Sequence, residues 1–194
     1  MKNPTLLKEM LHYRGRDEMP SDFDTFWNKQ VAEVEVPQDY QLLEKDFQIA
    51  YATCYELTFK SGSGGQIYAK LVVPKLSEKV PVLFHFHGYM GQGWDWSDML
   101  AYTAAGWGVV SMDVRGQSGY SLDGNREVRG NTVKGHIIRG ALDGPDQLFF
   151  KDVYLDVYTL VELVAGLDFV DENRLSSFGG SQGGALALVA AALN

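Results

Sequence analysis

The sequence contains a single cysteine, Cys54, among its 194 residues. One cysteine cannot form an internal disulfide bond, which suits a reducing compartment, and we expect Cys54 to be a small core residue. Basic residues are also scarce. The sequence has 17 Lys and Arg residues against 25 Asp and Glu residues, which gives a net charge of −8. This charge argues against a nucleic-acid partner, since few cations are available to neutralise phosphates.

Long apolar runs are absent as well. No stretch approaches the roughly 20 apolar residues that a membrane-spanning helix requires, and the N-terminus MKNPTLLKEM lacks the apolar core of a signal peptide. We therefore expect a cytoplasmic protein with no membrane partner. A hydrophobic content of 45% with 22% charged residues is typical of a folded globular chain, and the length predicts one domain over residues 1–194.

The N-terminal segment predicts an arm followed by one helix. Residues 1–20 are polar and mixed, which predicts an irregular arm. Ser21 followed by Asp24 predicts a capping box that opens an amphipathic helix over about 21–35.

The next segment predicts an antiparallel hairpin. Residues 51–60 alternate in polarity and residues 66–73 form a second strand pattern, with SGSGG between them at 61–65. A phosphate-binding loop is the alternative for SGSGG, but neither a lysine nor a helix follows it. We therefore favour a hairpin turn.

From residue 80 onward, apolar segments alternate as in a parallel α/β sheet. They predict strand 80–87, helix 95–105, strand 107–112, helix 150–166 and strand 175–178. Nearly continuous apolar strands are typical of a sheet covered on both faces, and the alternation predicts right-handed connections. The irregular segment 118–148 is long enough to be functional or to form a lid.

A glycine-flanked serine follows the last of these strands. The pattern Gly179-x-Ser181-x-Gly183 lies between an apolar strand and an Ala-rich helix that starts at Gln182. It predicts a nucleophile elbow, in which glycines two residues either side of the serine let strand and helix pass closely. The alternative is a glycine-rich turn with an incidental serine.

The base that would activate this serine is missing from the expected place. A serine hydroxyl needs an oriented base, and in α/β hydrolases the order along the chain is Ser, acid, His. All four histidines precede Ser181, and they are His12, His85, His87 and His136. One of them could serve only in another order of the triad. We therefore expect the triad Asp and His to be absent from this chain, and the chain to be part of a longer protein.

Two histidines end the strand over 80–87. His85 and His87 are two residues apart and face the same side of a strand, so they could be metal ligands. No third ligand follows at short spacing, and we predict neither a metal nor a cofactor. The alternative is that His87 and Gly88 shape the next loop. The backbone N–H of Tyr89 in that loop and the backbone N–H of Gln182 would then stabilise an oxyanion.

Arg115 and Gln117 follow the strand over 107–112, where α/β sheets place their ligands. Arg115 either binds an acidic substrate or pairs internally to brace the oxyanion loop, and we favour pairing because buried charges are normally paired. Four carboxylates could be taken for acids of the site, but they precede the serine and we predict structural or solvated roles. They are Asp113, Asp143, Asp152 and Asp156.

Three motifs carry a resemblance to a known family. They are His87-Gly88-Tyr89, Arg115-Gly116-Gln117 and Gly179-Gly180-Ser181-Gln182-Gly183-Gly184. In their order and spacing the chain resembles the acetyl xylan esterase/cephalosporin-C deacetylase family of α/β hydrolases, over essentially all its residues. The resemblance implies an α/β fold, specifically the N-terminal portion of an α/β-hydrolase fold. This portion has an N-terminal helix and a β-hairpin, then a mostly parallel sheet up to the nucleophile elbow.

The resemblance also implies a reaction and a set of roles. Ser181 would be the nucleophile, and Tyr89 and Gln182 the oxyanion donors. The supporting residues would be Gly88, Arg115, Gln117, Gly179 and Gly183. The implied activity is cofactor-free deacetylation of small acetylated sugars such as xylo-oligosaccharides, and of cephalosporin C, through an acetyl-enzyme in a hexameric homo-oligomer. The alternatives are a dienelactone-type or peptidase-like hydrolase, or a non-catalytic binding protein on the same fold.

Overall fold

The computed structural model of the protein describes residues 4–124 and 137–194. The described chain divides into two compact units, one ending at Glu33 and the other running from Val34 to Asn194. One domain over the whole chain stays a prediction.

The N-terminal unit contains two helices, α1 (Pro4–His12) and α2 (Phe23–Ala32). The irregular arm is therefore wrong for α1, where a proline at the first helical position and several strong helix formers favour a helix. The predicted capping box is also wrong, since Asp22 precedes the first helical residue and makes no side-chain capping bond. The start of α2 is closed by its backbone instead, through a bond of 2.8 Å from the Phe26 N–H to the Asp22 carbonyl.

The second unit is built on a mixed sheet. In the described residues its strands are β1 (Gln41–Lys45), β2 (Ala52–Lys60), β3 (Gln66–Pro74), β4 (Val80–Phe86), β5 (Gly108–Met112) and β6 (Val170–Gly179). Their order across the sheet is β1-β2-β3-β5-β4-β6. The neighbouring pairs β1–β2, β2–β3 and β3–β5 are antiparallel. β4 pairs in parallel with both β5 and β6. The predicted hairpin and parallel strands are confirmed.

One strand was not predicted, and another begins earlier than predicted. β1 was not predicted, because its sequence QLLEK alternates weakly and none of its side chains is fully buried. β6 begins at Val170, opposite Val80, and not near residue 175. Residues 171–174 are polar and mostly exposed, and they form an irregularity in the pairing with β4, because Val170 pairs with Val80 and Leu175 pairs with Val82.

Within the part of the chain that the structure describes, three further helices cover the sheet, α3 (Trp96–Ala104), α4 (Phe149–Ala165) and α5 (Gln182–Leu193). The larger core joins Phe84 of β4 to Leu160 of α4 and Leu186 of α5. A smaller core packs Met99 of α3 against Val109 of β5. All five residues of β5 are buried, as expected for a strand covered on both faces.

The predicted irregular segment 118–148 is only partly described. Residues 125–136, which include His136, lie outside the described residues. The rest contains a bridge between Leu122 and Gln66 and a short 3₁₀ turn at Pro145–Gln147. A lid function for this segment stays a prediction. Within residues 4–124 and 137–194, no helix combines the length and apolar character needed to cross a membrane.

Candidate active site

The three sequence motifs come together at one edge of the sheet. Phe86 at the end of β4 lies opposite Met112 of β5 on one side and Gly179 of β6 on the other. Each motif follows one of these strand ends. Because the three strands are parallel, the loops after them leave from the same edge, where α/β sheets place their sites.

Ser181 occupies a tight corner between β6 and α5. Its backbone has φ 56° and ψ −122°, and the residue is exposed. A non-glycine residue in such a sparsely populated region costs about 1–3 kcal/mol. The corner is closed by bonds from the Gly183 N–H to the Gly180 carbonyl and from the Gly184 N–H to the Ser181 carbonyl, at 2.9 and 3.0 Å. The hydroxyl therefore lies at the start of α5, where first-turn N–H groups have no intrahelical acceptor.

The glycines around Ser181 permit close contact between three elements. A Cβ atom on Gly183 would overlap the Phe86 carbonyl oxygen, and one on Gly179 would overlap the backbone of Gly183. Glycine is therefore required where the start of α5 meets the ends of β4 and β6.

The loop after β4 forms a turn beside this corner. The Gly91 N–H donates to the Gly88 carbonyl at 2.9 Å, which closes the four-residue turn Gly88–Gly91. Met90 has φ 65° and Tyr89 does not have a positive φ, which is the pattern of a type II turn with methionine in the glycine-favoured position. A Cβ atom on Gly88 would lie 3.9 Å from the Ser181 Cβ, so the turn contacts the corner.

The loop after β5 holds this turn and joins it to α5. The Gln117 Oε1 accepts the Met90 N–H at 2.7 Å, and the Ser118 hydroxyl donates to the Met90 carbonyl at 2.9 Å. The amides of Gln117 and Gln182 bond each other in both directions, at 2.8 and 3.2 Å. Gln117 thus connects the turn after β4 with the first residue of α5.

His87 is buried behind the turn. Its Nε2 accepts the Val114 N–H at 2.9 Å and its Nδ1 lies 2.8 Å from the Gly88 carbonyl. A carbonyl only accepts and an amide N–H only donates, so the ring is neutral and carries its proton on Nδ1. Burial lowers the pKa of His87, in agreement with this state. Both ring nitrogens are engaged, so neither is open to a metal.

His85 lies on the same side of β4. Its Nδ1 is 2.8 Å from the Ser111 Oγ, and its ring stacks on Trp94 with 3.9 Å between centroids. Burial, followed by the neighbouring His87, lowers the pKa of His85 to about 4. Among the described residues, no group of three His, Cys, Asp or Glu side chains is arranged to hold a metal ion.

Arg115 is fully buried and paired. Its Nε and Nη2 donate to the Asp156 carboxylate at 2.6 and 2.5 Å. Burial acts to lower the pKa of Arg115, but the carboxylates of Asp156, Asp152 and Asp123 outweigh it and hold this pKa above its usual value. The guanidinium is therefore a permanent cation with no exposed surface for a substrate.

The SGSGG turn between β2 and β3 encloses this guanidinium. Ser61 and Ser63 each accept a hydrogen bond from Arg115 at 2.7 Å. A Cβ atom on Gly65 would lie 2.8 Å from the Arg115 Cζ, which explains the glycine. The sequence reasoning missed this role, and the alternation of serine and glycine was the available signal.

Asp113 has a structural role that the sequence indicated only in general terms. Its carboxylate accepts the Gly93 N–H at 2.6 Å and the Tyr120 N–H at 2.8 Å. It therefore joins the far end of the loop after β4 to the loop after β5. Asp143 is half-buried, and Asp152 lies in the Arg115 cluster.

Comparisons with known proteins agree on one family. Residues 1–194 match the family model described as acetyl xylan esterase (AXE1). The chain is similar to the solved acetyl xylan esterase 1 from Thermoanaerobacterium sp. JW/SL YS485, with 44% identity and a TM-score of 0.90 over 96% of this chain and 59% of that one. It is also 29% identical over 182 residues to the curated acetyl esterase Axe7A of Xylanibacter ruminicola, matching 90% of this chain and 41% of the relative.

A more distant likeness concerns the fold alone. The α/β hydrolase GrgF from Penicillium sp. sh18 matches 73% of this chain and 42% of its own length, with 17% identity and a TM-score of 0.53. The predicted α/β-hydrolase fold is confirmed, and the chain spans only part of the length of the relatives it matches.

The glycine requirement at the corner predicts a difference between two neighbouring alanine substitutions. Gly183→Ala should lower the free energy of unfolding by about 1–3 kcal/mol, because its Cβ overlaps backbone. Gly184→Ala is the control, since its Cβ would meet nothing closer than the Gly179 carbonyl at 3.4 Å. Urea denaturation should find the control unchanged or more stable by up to about 1 kcal/mol, because alanine favours helices. Equal stability of the two variants would contradict the packing described here.

The buried cation predicts a large loss of stability on its removal. Arg115→Met leaves the Asp156 carboxylate buried without its cation and should lower the free energy of unfolding by about 3–5 kcal/mol. Arg174→Met, which removes an exposed pair with Asp171, should change it by less than about 0.5 kcal/mol. Chemical denaturation of both variants tests this, and a loss no larger in Arg115→Met than in Arg174→Met would refute it.

The neutral state of His85 predicts acid sensitivity. Its folded-state pKa of about 4 lies below the usual histidine value of 6.5, so the unfolded chain binds the extra proton between these pH values. Its contribution to stability is complete above about pH 6.5 and is lost as the pH falls towards 4, with a slope of at most about 1.4 kcal/mol per pH unit. Urea denaturation at several pH values should show a shallower slope in His85→Asn than in the wild type. Identical slopes would rule out this contribution.

Proposed function

The chain belongs to the acetyl xylan esterase family, and on this premise we propose that it supplies the nucleophile and oxyanion-binding part of a serine esterase acting on small acetylated carbohydrates such as xylo-oligosaccharides. The observation that carries the proposal is the exposed Ser181 at a positive-φ corner, in contact with the turn Gly88–Gly91. A hydroxyl at a helix start beside a backbone turn suits attack on a carbonyl with stabilisation of the resulting oxyanion.

In the proposed reaction, the Ser181 Oγ attacks the acetyl carbonyl carbon while a base takes its proton. The carbonyl oxygen becomes an oxyanion that accepts hydrogen bonds from the backbone N–H groups of Tyr89 and Gln182. The bond to the sugar oxygen then breaks, this oxygen takes the proton, and an acetyl-enzyme remains. Water, deprotonated by the same base, then attacks the acetyl carbonyl carbon. The bond from this carbon to the Ser181 Oγ breaks, the serine oxygen takes the proton from the base, and acetate leaves.

The base and its orienting acid are proposed to come from residues outside this chain. Among the described histidines near the site, His85 and His87 are buried and hydrogen-bonded within the fold, so neither can reach the Ser181 hydroxyl as a mobile base. The chain spans 59% of the solved relative and 41% of the curated one, and the activity of the whole protein is part of the proposal.

The supporting residues act on the geometry of the two donors. Gln117 bonds both the turn that contains Tyr89 and the side chain of Gln182. Arg115 anchors the same loop two residues earlier. An oxyanion donor is worth about 2.7–4 kcal/mol of the barrier in measured cases, so displacement of either donor should slow turnover. Deacetylation of cephalosporin C, a cytoplasmic location and a hexameric ring remain further proposals from the family resemblance.

Removal of the proposed nucleophile tests the function. In the longest form of the protein that the gene encodes, Ser181→Ala should lower kcat on a chromogenic acetyl ester at least about 10³-fold. The control is Ser176→Ala, an exposed serine of β6, which should retain wild-type turnover. The wild type should also release a burst of alcohol equal to the enzyme concentration if acetyl-enzyme hydrolysis is slower than its formation.

Other results would point elsewhere. Full turnover in Ser181→Ala would eliminate the mechanism. A clear preference for longer acyl esters would favour a general or dienelactone-type esterase, and a folded wild type with no hydrolytic activity would favour a binding protein.

A further inference from the structure

We propose that His87 is a positioning residue that aims the backbone N–H of Tyr89 at the oxyanion. The inference rests on the proposed function, because it takes the Tyr89 N–H as an oxyanion donor. His87 itself is 5% exposed and lies behind the turn, so it acts through the peptide that it holds.

One peptide plane links the residue that His87 binds to the proposed oxyanion donor. The Gly88 carbonyl and the Tyr89 N–H belong to the same trans peptide, so they point in opposite directions. Whatever fixes the carbonyl therefore fixes the direction of the N–H. Glycine at position 88 leaves the backbone free to rotate on one side of this peptide, so an external hold is needed.

Two donors supply this hold. The Gly88 carbonyl accepts the His87 Nδ1–H at 2.8 Å and the Gly91 N–H at 2.9 Å. The second bond closes the turn, and the first comes from a side chain. Together they direct the Tyr89 N–H away from the His87 ring.

The ring is itself fixed in place. Its Nε2 accepts a hydrogen bond of 2.9 Å from the N–H of Val114, which lies in the loop after β5. Gly91 lets the turn approach the ring, since a Cβ atom there would lie 3.1 Å from the His87 Nδ1. The Val114 bond therefore orients the ring, and the bond from Nδ1–H to the Gly88 carbonyl is the contact that positions the peptide of the Tyr89 N–H.

Two substitutions separate the two bonds of the ring. In His87→Asn, the amide nitrogen is attached to Cγ as Nδ1 is, so it can still donate to the Gly88 carbonyl. In His87→Gln, the amide oxygen is one bond further out, at the level of Nε2, so it can accept the Val114 N–H but the donor to Gly88 is lost. His85→Gln removes a second buried histidine from the same face of β4 and is the control for stability.

The positioning role predicts a split between kcat and KM. On a chromogenic acetyl ester, His87→Gln should lower kcat about 10- to 100-fold, as small misplacements in active sites do. Its KM should stay within about threefold of wild type, because the bond acts on the transition state. His87→Asn and His85→Gln should keep kcat within about threefold of wild type, whatever their melting temperatures. Equal kcat in His87→Gln and His87→Asn would overturn the proposal.

A second readout is independent of activity. The Tyr89 amide resonance should broaden or double in His87→Gln, because its peptide samples two orientations, and should stay single in His87→Asn. If wild type and Ser181→Ala hydrolyse acetyl esters equally, the proposed function fails. The Tyr89 resonance still tests whether the His87 bond to the Gly88 carbonyl fixes the peptide. A single unchanged resonance in His87→Gln would overturn that hold.

Discussion

A guanidinium with no exposed surface needs hydrogen-bond acceptors, and Arg115 obtains them from two separate parts of the chain. Asp156 of α4 binds it through two hydrogen bonds, and Ser61 and Ser63 of the β2–β3 turn accept two more. The cation thereby fixes the loop after β5 against a helix and a hairpin. Gln117, two residues further along, can then hold the turn after β4 and the start of α5 in a constant relation.

The two strained residues of the site lie on either side of this loop. Ser181 and Met90 both have positive φ without being glycine. Such conformations persist only where surrounding contacts over-determine them. Met90 is held at its N–H by Gln117 and at its carbonyl by Ser118, whereas Ser181 is held by close backbone packing around Gly183. Side-chain hydrogen bonds therefore stabilise Met90, whereas backbone hydrogen bonds and close packing stabilise Ser181.

Much of the fold could be predicted because its signals are local. The hairpin, β4, β5, α4 and the corner at Ser181 follow from alternation, apolar runs and glycine spacing. β1 and the start of β6 could not, because their sequences are polar or alternate weakly, and α1 was missed although its sequence contains strong helix formers. In the site, the motifs identified Ser181 and the Tyr89 loop. The serine partners of Arg115 were missed because Ser61 lies 54 residues away in sequence, and the serine–glycine alternation of its turn does not indicate which residue the turn binds.

The burial of the Arg115 cluster also bears on ionic strength. Dissolved ions screen exposed charges over about 10 Å at 0.1 M salt but act far less on buried pairs. The chain carries a net charge of −8, so concentrated salt should weaken repulsion across its surface. The Asp156–Arg115 contact is excluded from solvent, with neither side chain exposed. We therefore expect the position of the loop that this contact anchors to be independent of salt concentration, even where the electrostatics of the surrounding surface change.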